Sequence, residues 1–191
     1  MEKMKILLIN GCIEQNELKD AVCEVLQQRG LDVMCVDLDH AVAGCITCGK
    51  CIRKRYCVLD EELGRNVLYE GVIGVMILCR VQYERPDRNL VSYLKRMMYS
   101  RCERFDRMPY AIVYVSRNMQ EKPSMEIDDL MARGNMFKVQ DQHNGVIHSK
   151  QDILDVKKMA DRLGWISQCT ENGRKDLPEC EGPVVMKDFV R

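Results

Sequence analysis

The chain opens with a short unbroken apolar run, Ile6-Leu7-Leu8-Ile9, stopped by Asn10-Gly11. Such a run predicts a strand over 5–11 that is buried on both faces. The spacing then changes. Leu18, Ala21, Val22, Val25 and Leu26 recur at i, i+3, i+4, i+7 and i+8, one face of a helix, and Gly30 stands where that helix would stop. Residues 31–38 read as a second strand carrying Val33 and Cys35. A helix opened by Asp60, Glu61 and Glu62 is expected through Leu63, Val67 and Leu68, with its acids at the positive end and Gly71 at its close. Residues 72–79 are a third buried strand. Leu90, Val91, Leu94, Met97 and Met98 mark a helix, and 109–116 a fourth strand. Ser124 is placed to cap a helix bearing Ile127, Leu130 and Met131. The fifth strand is either 136–139 or 145–148. Ser149 with Asp152 forms a capping box that opens a last helix through Ile153, Val156, Met159, Ala160 and Leu163.

Strands alternating with helices predict an α/β fold with a parallel central sheet and right-handed crossovers covering both faces. Ligands in such sheets bind beyond the carboxyl ends of the strands, where strand order reverses. That rule selects the connections at 10–16, 79–87 and 116–124. The domain is expected over 1–169, interrupted by a cysteine-rich insertion at 41–59, with a polar extension at 170–191.

Composition narrows the function. Of 191 residues, 29 are Lys or Arg and 29 are Asp or Glu, so the net charge of +0 offers no general field for nucleic acid or an anionic membrane. The apolar runs are too short to span a bilayer, and the first residues lack the apolar stretch and cleavage site of a secretory signal. A cytoplasmic location is expected. The 13 methionines read as core filler. His40, His143 and His148 are isolated and form no metal pair.

Cysteine is the outlier, with 11 residues. In a reducing compartment, clustered thiols point to metal, cluster or redox chemistry rather than to disulfides. Cys45, Cys48, Cys51 and Cys57 read C-x2-C-x2-C-x5-C. Zinc sites usually combine separated two-cysteine knuckles. Three cysteines in one run resemble the ferredoxin pattern that wraps an iron–sulfur cluster, with Cys57 left to complete the same site. An iron–sulfur cluster, zinc, and a loop of free thiols are the three readings. Lys50, Arg53, Lys54 and Arg55 are interleaved and would offset thiolate charge.

Together, the 5–11 strand, the cysteine run followed by Val58-Leu59-Asp60, and the stretch from Ile77 to Tyr83 preceding 90–96 resemble the flavodoxin-like NADPH-dependent FMN reductase family. The resemblance runs over about residues 4–163, and its iron–sulfur flavoprotein branch is the nearest in pattern. It implies a three-layer sandwich around a five-stranded parallel sheet of order 2-1-3-4-5, and FMN at the strand ends. It also implies a homodimer or homotetramer, and NAD(P)H or ferredoxin as redox partner. The flavin-binding positions it assigns are Gly11, Cys12, Ile13, Gln15 and Asn16 after strand one, with Cys79, Arg80, Val81, Gln82 and Tyr83 after strand three. Cys45, Cys48, Cys51 and Cys57 would hold the cluster. No side chain is assigned an acid–base role.

The loops after strands one, three and four depart from the family's pattern, and the first loop is about four residues shorter. No Ser or Thr precedes Thr47, so the first loop has no hydroxyl for a phosphate, and Glu14 and Glu17 bring carboxylates to that position. Like charges at ~4–5 Å in partly wet surroundings cost on the order of a few kcal/mol. Arg80 supplies a positive charge, Gln82 an amide and Tyr83 a ring for stacking. The principal expectation is an FMN-dependent oxidoreductase or electron-transfer flavoprotein. The alternatives are a flavodoxin-like domain that has lost FMN and serves as a binding or assembly module, and a zinc-stabilised structural protein.

Overall fold

The computed structural model describes residues 3–39, 41–54, 57–59, 69–116, 125–139, 146–147 and 153–176. The helix expected over 60–68, the loop at 117–124, the three histidines, the Ser149–Asp152 capping box and the chain beyond 176 lie outside these residues.

The elements follow the predicted alternation. β1 (Lys5–Asn10), α1 (Asn16–Gln28) and β2 (Asp32–Asp37) form the first unit. A short α2 (Lys50–Lys54) lies in the cysteine-bearing segment. β3 (Val72–Gln82), β4 (Arg85–Pro86), α3 (Arg88–Arg101) and a 3-10 turn (Cys102–Phe105) come next. β5 (Pro109–Ser116), α4 (Glu126–Arg133), β6 (Phe137–Lys138), β7 (Val146–Ile147) and α5 (Ile153–Asp176) complete the chain. The final helix thus continues through Cys169 into the expected extension. Among the described residues no helix is long and apolar enough to cross a membrane.

The sheet order is β2-β1-β3-β5-β6, with every pairing along that path parallel. This is the expected 2-1-3-4-5 arrangement with two refinements. The fifth position is shared by both candidate segments: β6 pairs with Pro109 and Tyr110 at the start of β5, and β7 with Tyr114 and Val115 near its end. The third strand does not stop at Cys79. It continues to Gln82 and folds back antiparallel onto β4, Val81 opposite Pro86 and Gln82 opposite Arg85.

Burial on both faces explains the unbroken apolar strands. Leu7, Ile9, Val75, Ile77 and Ile112 pack with Leu90, Leu94 and Met97 of α3 and Ile127, Leu130 and Met131 of α4. Ile6, Leu8, Met76, Leu78 and Val113 face the other way, against Leu18, Val22 and Leu26 of α1 and Val156, Met159 and Leu163 of α5. Each strand residue serves one layer and its neighbour the other, so no position can be polar without a partner.

α5 seats directly on β3. A Cβ built on Gly74 would lie 2.3 Å from Ser167 Oγ and 3.0 Å from Ile6 Cδ1, so only glycine lets the helix approach this closely. At the opposite end of the strands, the carboxyl rim, the sheet carries the connections after β1, β2 and β3.

Candidate functional site

The rim is organised first by Asn10, which is 1% exposed. Its Oδ1 accepts from the Cys12 backbone N–H at 3.0 Å, and its Nδ2 donates to Asp37 Oδ1 at 2.7 Å. Lys19 Nζ donates to the other Asp37 oxygen at 2.6 Å, and the Cys35 thiol donates to Oδ1 at 3.6 Å. Burial pushes the Asp37 carboxyl up, but the Lys19 and Asn10 hydrogen bonds outweigh it and hold the group below its ordinary value. The Cys35 thiol moves the other way, pushed up to about 12 by burial and by Asp37.

The β1–α1 connection closes on itself. Gly11 N–H donates to the Leu78 carbonyl at 2.9 Å, and Gln15 N–H to that of Cys12 at 2.9 Å. A Cβ on Gly11 would meet Leu78 O at 3.0 Å and Leu90 at 3.5 Å. The glycine therefore serves the close approach of β1 to β3 and α3. Gln15, at the start of α1, makes no side-chain capping bond to the helix.

Beside this connection stands the β3–β4 hairpin. Tyr83 (φ 52°) and Glu84 (φ 63°) form its two-residue turn in the left-handed region, which non-glycine residues adopt at a cost. Asp87 then ties the hairpin to α3. Its N–H donates to the Arg80 carbonyl at 2.9 Å, and its Oδ1 accepts from the N–H groups of Asn89 and Leu90 at 2.8 and 3.1 Å. That is the capping geometry of a helix N-terminus.

Arg80 bridges the hairpin and the β1–α1 connection. Its Nη1 lies 3.6 Å from Glu14 Oε2. With the Gln82 amide turned so that its oxygen faces the guanidinium, Oε1 accepts from Nε at 3.1 Å and Nη2 at 2.8 Å. Arg80 is 35% exposed and Glu14 69% exposed, so the ion pair sits at the mouth rather than in the core.

The sequence-predicted flavin positions thus divide. Arg80 and Gln82 meet at the rim with Glu14, which was expected either to repel a phosphate or to satisfy the helix N-terminus; its pairing with Arg80 was not expected. Cys12 joins the core under α1 and α5, whereas Cys79 and Val81 join the core under α3 and α4, so these three side chains are buried. Burial pushes the Cys12 thiol up to about 12, against a smaller opposing pull from Arg80. Burial, with Cys12 nearby, raises Cys79 as well. Ile13, Gln15 and Asn16 are exposed on the loop and the first turn of α1. Tyr83 stands 90% exposed in the hairpin turn, at a tip where a loop had been expected.

The cysteine segment rests on α3. Val42 N–H donates to Asn89 Oδ1 at 3.3 Å, the buried Arg96 donates through Nη1 to the Ala43 carbonyl at 3.0 Å, and Val42 packs on the core beneath. Thr47 N–H donates to Cys45 Sγ at 3.4 Å. Cys48 is exposed, and Cys45, Cys51 and Cys57 are half-buried. The expected metal set of Cys45, Cys48, Cys51 and Cys57 is not brought together. Among the described residues no three His, Cys, Asp or Glu side chains are grouped to hold a metal ion. Spacing alone puts thiols on one segment; a metal site also needs the backbone to turn them toward one point.

Neither a protein-family model nor a curated protein sequence matches the chain. Solved structures do. A flavodoxin from the domain Archaea superposes with TM-score 0.60 at 8% identity, over 86% of this chain and 99% of that one. A WrbA-like flavodoxin from Agrobacterium tumefaciens gives 0.59 at 8% identity, over 90% and 99%. An oxidoreductase from Corynebacterium diphtheriae gives 0.57 at 12% identity, over 88% and 98%. At such identities the likeness establishes a flavodoxin-like fold.

Proposed function

We propose that this chain is a redox flavoprotein that takes FMN at the carboxyl rim, between the β1–α1 connection and the β3–β4 hairpin. The observation that carries the reading is Arg80. Its guanidinium is steadied by Gln82 and already meets an oxyanion, the Glu14 carboxylate, beside the first turn of α1. A phosphate is a better partner for that fork than a single carboxylate. The pair it would replace is exposed, and such pairs are worth only ~0–1 kcal/mol. The start of α1, which has no side-chain cap from Gln15, adds backbone donors and a favourable dipole for an anion.

Arg80 and the first turn of α1 would hold the phosphate, Gln82 would keep Arg80 oriented, and Tyr83 offers an exposed ring for stacking. Bound FMN supplies transfer of electrons singly or in pairs; the protein supplies position and local charge. Cys12 and Cys79 remain protonated thiols at neutral pH because burial disfavours their anions, so neither is a nucleophile beside the flavin. Reduction by NAD(P)H or a ferredoxin, an iron–sulfur cluster on Cys45, Cys48, Cys51 and Cys57, and assembly as a homodimer or homotetramer belong to the same proposal. The cluster would require the four cysteines to draw together.

A second reading has its own support. The N–H groups of Gly11, Cys12 and Gln15 are all spent within the protein, and Glu14 fills the Arg80 position. These features suit a domain that has given up FMN and serves as a binding module. Anaerobically purified protein, assayed for iron and sulfide and titrated with FMN by fluorescence quenching, separates the two. The redox reading expects one FMN per chain, with Arg80→Met weakening it at least roughly tenfold. Absence of quenching at all concentrations would favour the binding module.

A further inference from the structure

We infer that Glu14 is a built-in competitor for Arg80, exchanged for the ligand's phosphate on binding, so that it lowers the affinity for phosphate-bearing flavins and narrows the preference over phosphate-free ones that Arg80 creates. The inference rests on the reading of the rim as a flavin site and names the residue that tempers its phosphate preference.

Glu14 sits at the mouth on the β1–α1 connection, and Arg80 reaches it from β3 with Gln82 Oε1 accepting from two of its nitrogens. Gln82 neutralises nothing, so it orients the guanidinium without satisfying its charge. Glu14 does satisfy it, and the pair presents no net charge to an approaching anion. A ligand without a phosphate has no reason to break the pair. A phosphate dianion does. It can engage the guanidinium through two oxygens, and once it does so the adjacent carboxylate is repelled. Glu14 is mostly exposed already, so returning its carboxylate to water demands little rearrangement. Two further acids lie near this exchange: Glu17 in the first turn of α1, and Asp87, which is engaged in capping α3.

The test compares FMN, riboflavin and inorganic pyrophosphate on the full chain and on Glu14→Gln, Arg80→Met and the double variant. Fluorescence quenching reads the flavins, and the thermal midpoint reads pyrophosphate. Glu14→Gln should tighten FMN roughly two- to fivefold, the loss of one exposed ion pair, and leave riboflavin unchanged. Arg80→Met should cut the preference for FMN over riboflavin, and the double variant should bind FMN at least as well as Arg80→Met, because an unpaired Glu14 would repel the phosphate. FMN binding equally to the wild type and to Glu14→Gln would overturn the exchange while leaving the flavin site standing. If no flavin binds but pyrophosphate raises the midpoint of Glu14→Gln more than that of the wild type, the exchange at Arg80 holds and the flavin reading falls. Silence from all three ligands would reject both.

Discussion

Asn10 shows how one buried amide sets up a whole rim. Its oxygen and nitrogen point to different partners, the Cys12 N–H and the Asp37 carboxylate, so it fixes both the turn after β1 and the end of β2. A carboxylate at position 10 would keep the first bond and repel Asp37. An apolar residue of similar size loses both bonds. Leucine is the cleaner probe, because it fills the space and leaves a buried N–H unpaired. Asn10→Leu should therefore lower stability by about 1–3 kcal/mol, the usual cost of an orphaned buried donor. It would be read as a fall in urea midpoint with an unchanged slope. An unchanged midpoint would mean that the turn is held by the Gly11 and Gln15 backbone bonds alone.

At the scale of elements, the seat of α5 on β3 makes a sharper case. Ser167 is 0% exposed, and among the described residues its hydroxyl has no hydrogen-bond partner. Removing it should be neutral or stabilising by up to ~1 kcal/mol, since a buried hydroxyl without a partner carries only its desolvation cost. Gly74→Ala should do the opposite, because its Cβ would lie 2.3 Å from that hydroxyl. Ser167→Ala in the Gly74→Ala background should restore much of the lost thermal midpoint; the Ile6 contact at 3.0 Å keeps the rescue incomplete. No rescue would show that the helix shifts away as a unit.

The same elements mark what a sequence can carry. β1, β3 and β5 were legible because double-sided burial leaves unbroken apolar runs. α1 and α4 were legible because one-sided burial leaves a 3.6-residue rhythm. The extension of β3 was not, since Arg80 and Gln82 alternate with a single buried Val81 and read as a loop. The split fifth position leaves only two residues in each piece, too few to show a period. At the rim, the chemistry of Arg80, Gln82 and Glu14 was visible, but the pairing of residues 14 and 80 depends on the register of β1 against β3. The cysteine run was plain as spacing and silent about convergence, because side-chain direction comes from backbone turns that no spacing rule records.

Across the whole molecule, α1 is the element that joins the rim to the scaffold, and its charges hold it there. Lys19 pairs with Asp37 of β2 at 2.6 Å, Glu24 with Lys157 of α5 at 2.7 Å, and Arg29 at its C-terminal end makes a two-pronged bond to Asp161 of α5 at 2.5 and 2.7 Å. The hydrogen bond from Lys157 lowers the Glu24 carboxyl, and that from Arg29 lowers Asp161. The Lys19 and Asn10 bonds do the same for Asp37 against its burial. A carboxyl that titrates lower in the folded than in the unfolded chain adds stability that is complete above its ordinary value, about 4, and is lost as pH falls through the lowered one. Stability should therefore stay level from neutral pH down to about 5 and fall steeply below about 4. Because all three groups grip α1, its amides should lose hydrogen-exchange protection at a higher pH than those of β1 and β3, whose bonds lie within the sheet. Glu24→Gln with Asp161→Asn should lower the urea midpoint at pH 7 and flatten the acid decline, and added salt should reproduce part of the effect in the wild type. A variant whose decline runs parallel to the wild type would place the acid-sensitive groups elsewhere. Earlier exchange in α1 would mean that acid opens the carboxyl rim before it unfolds the sheet, since the connection bearing Glu14 leads straight into that helix.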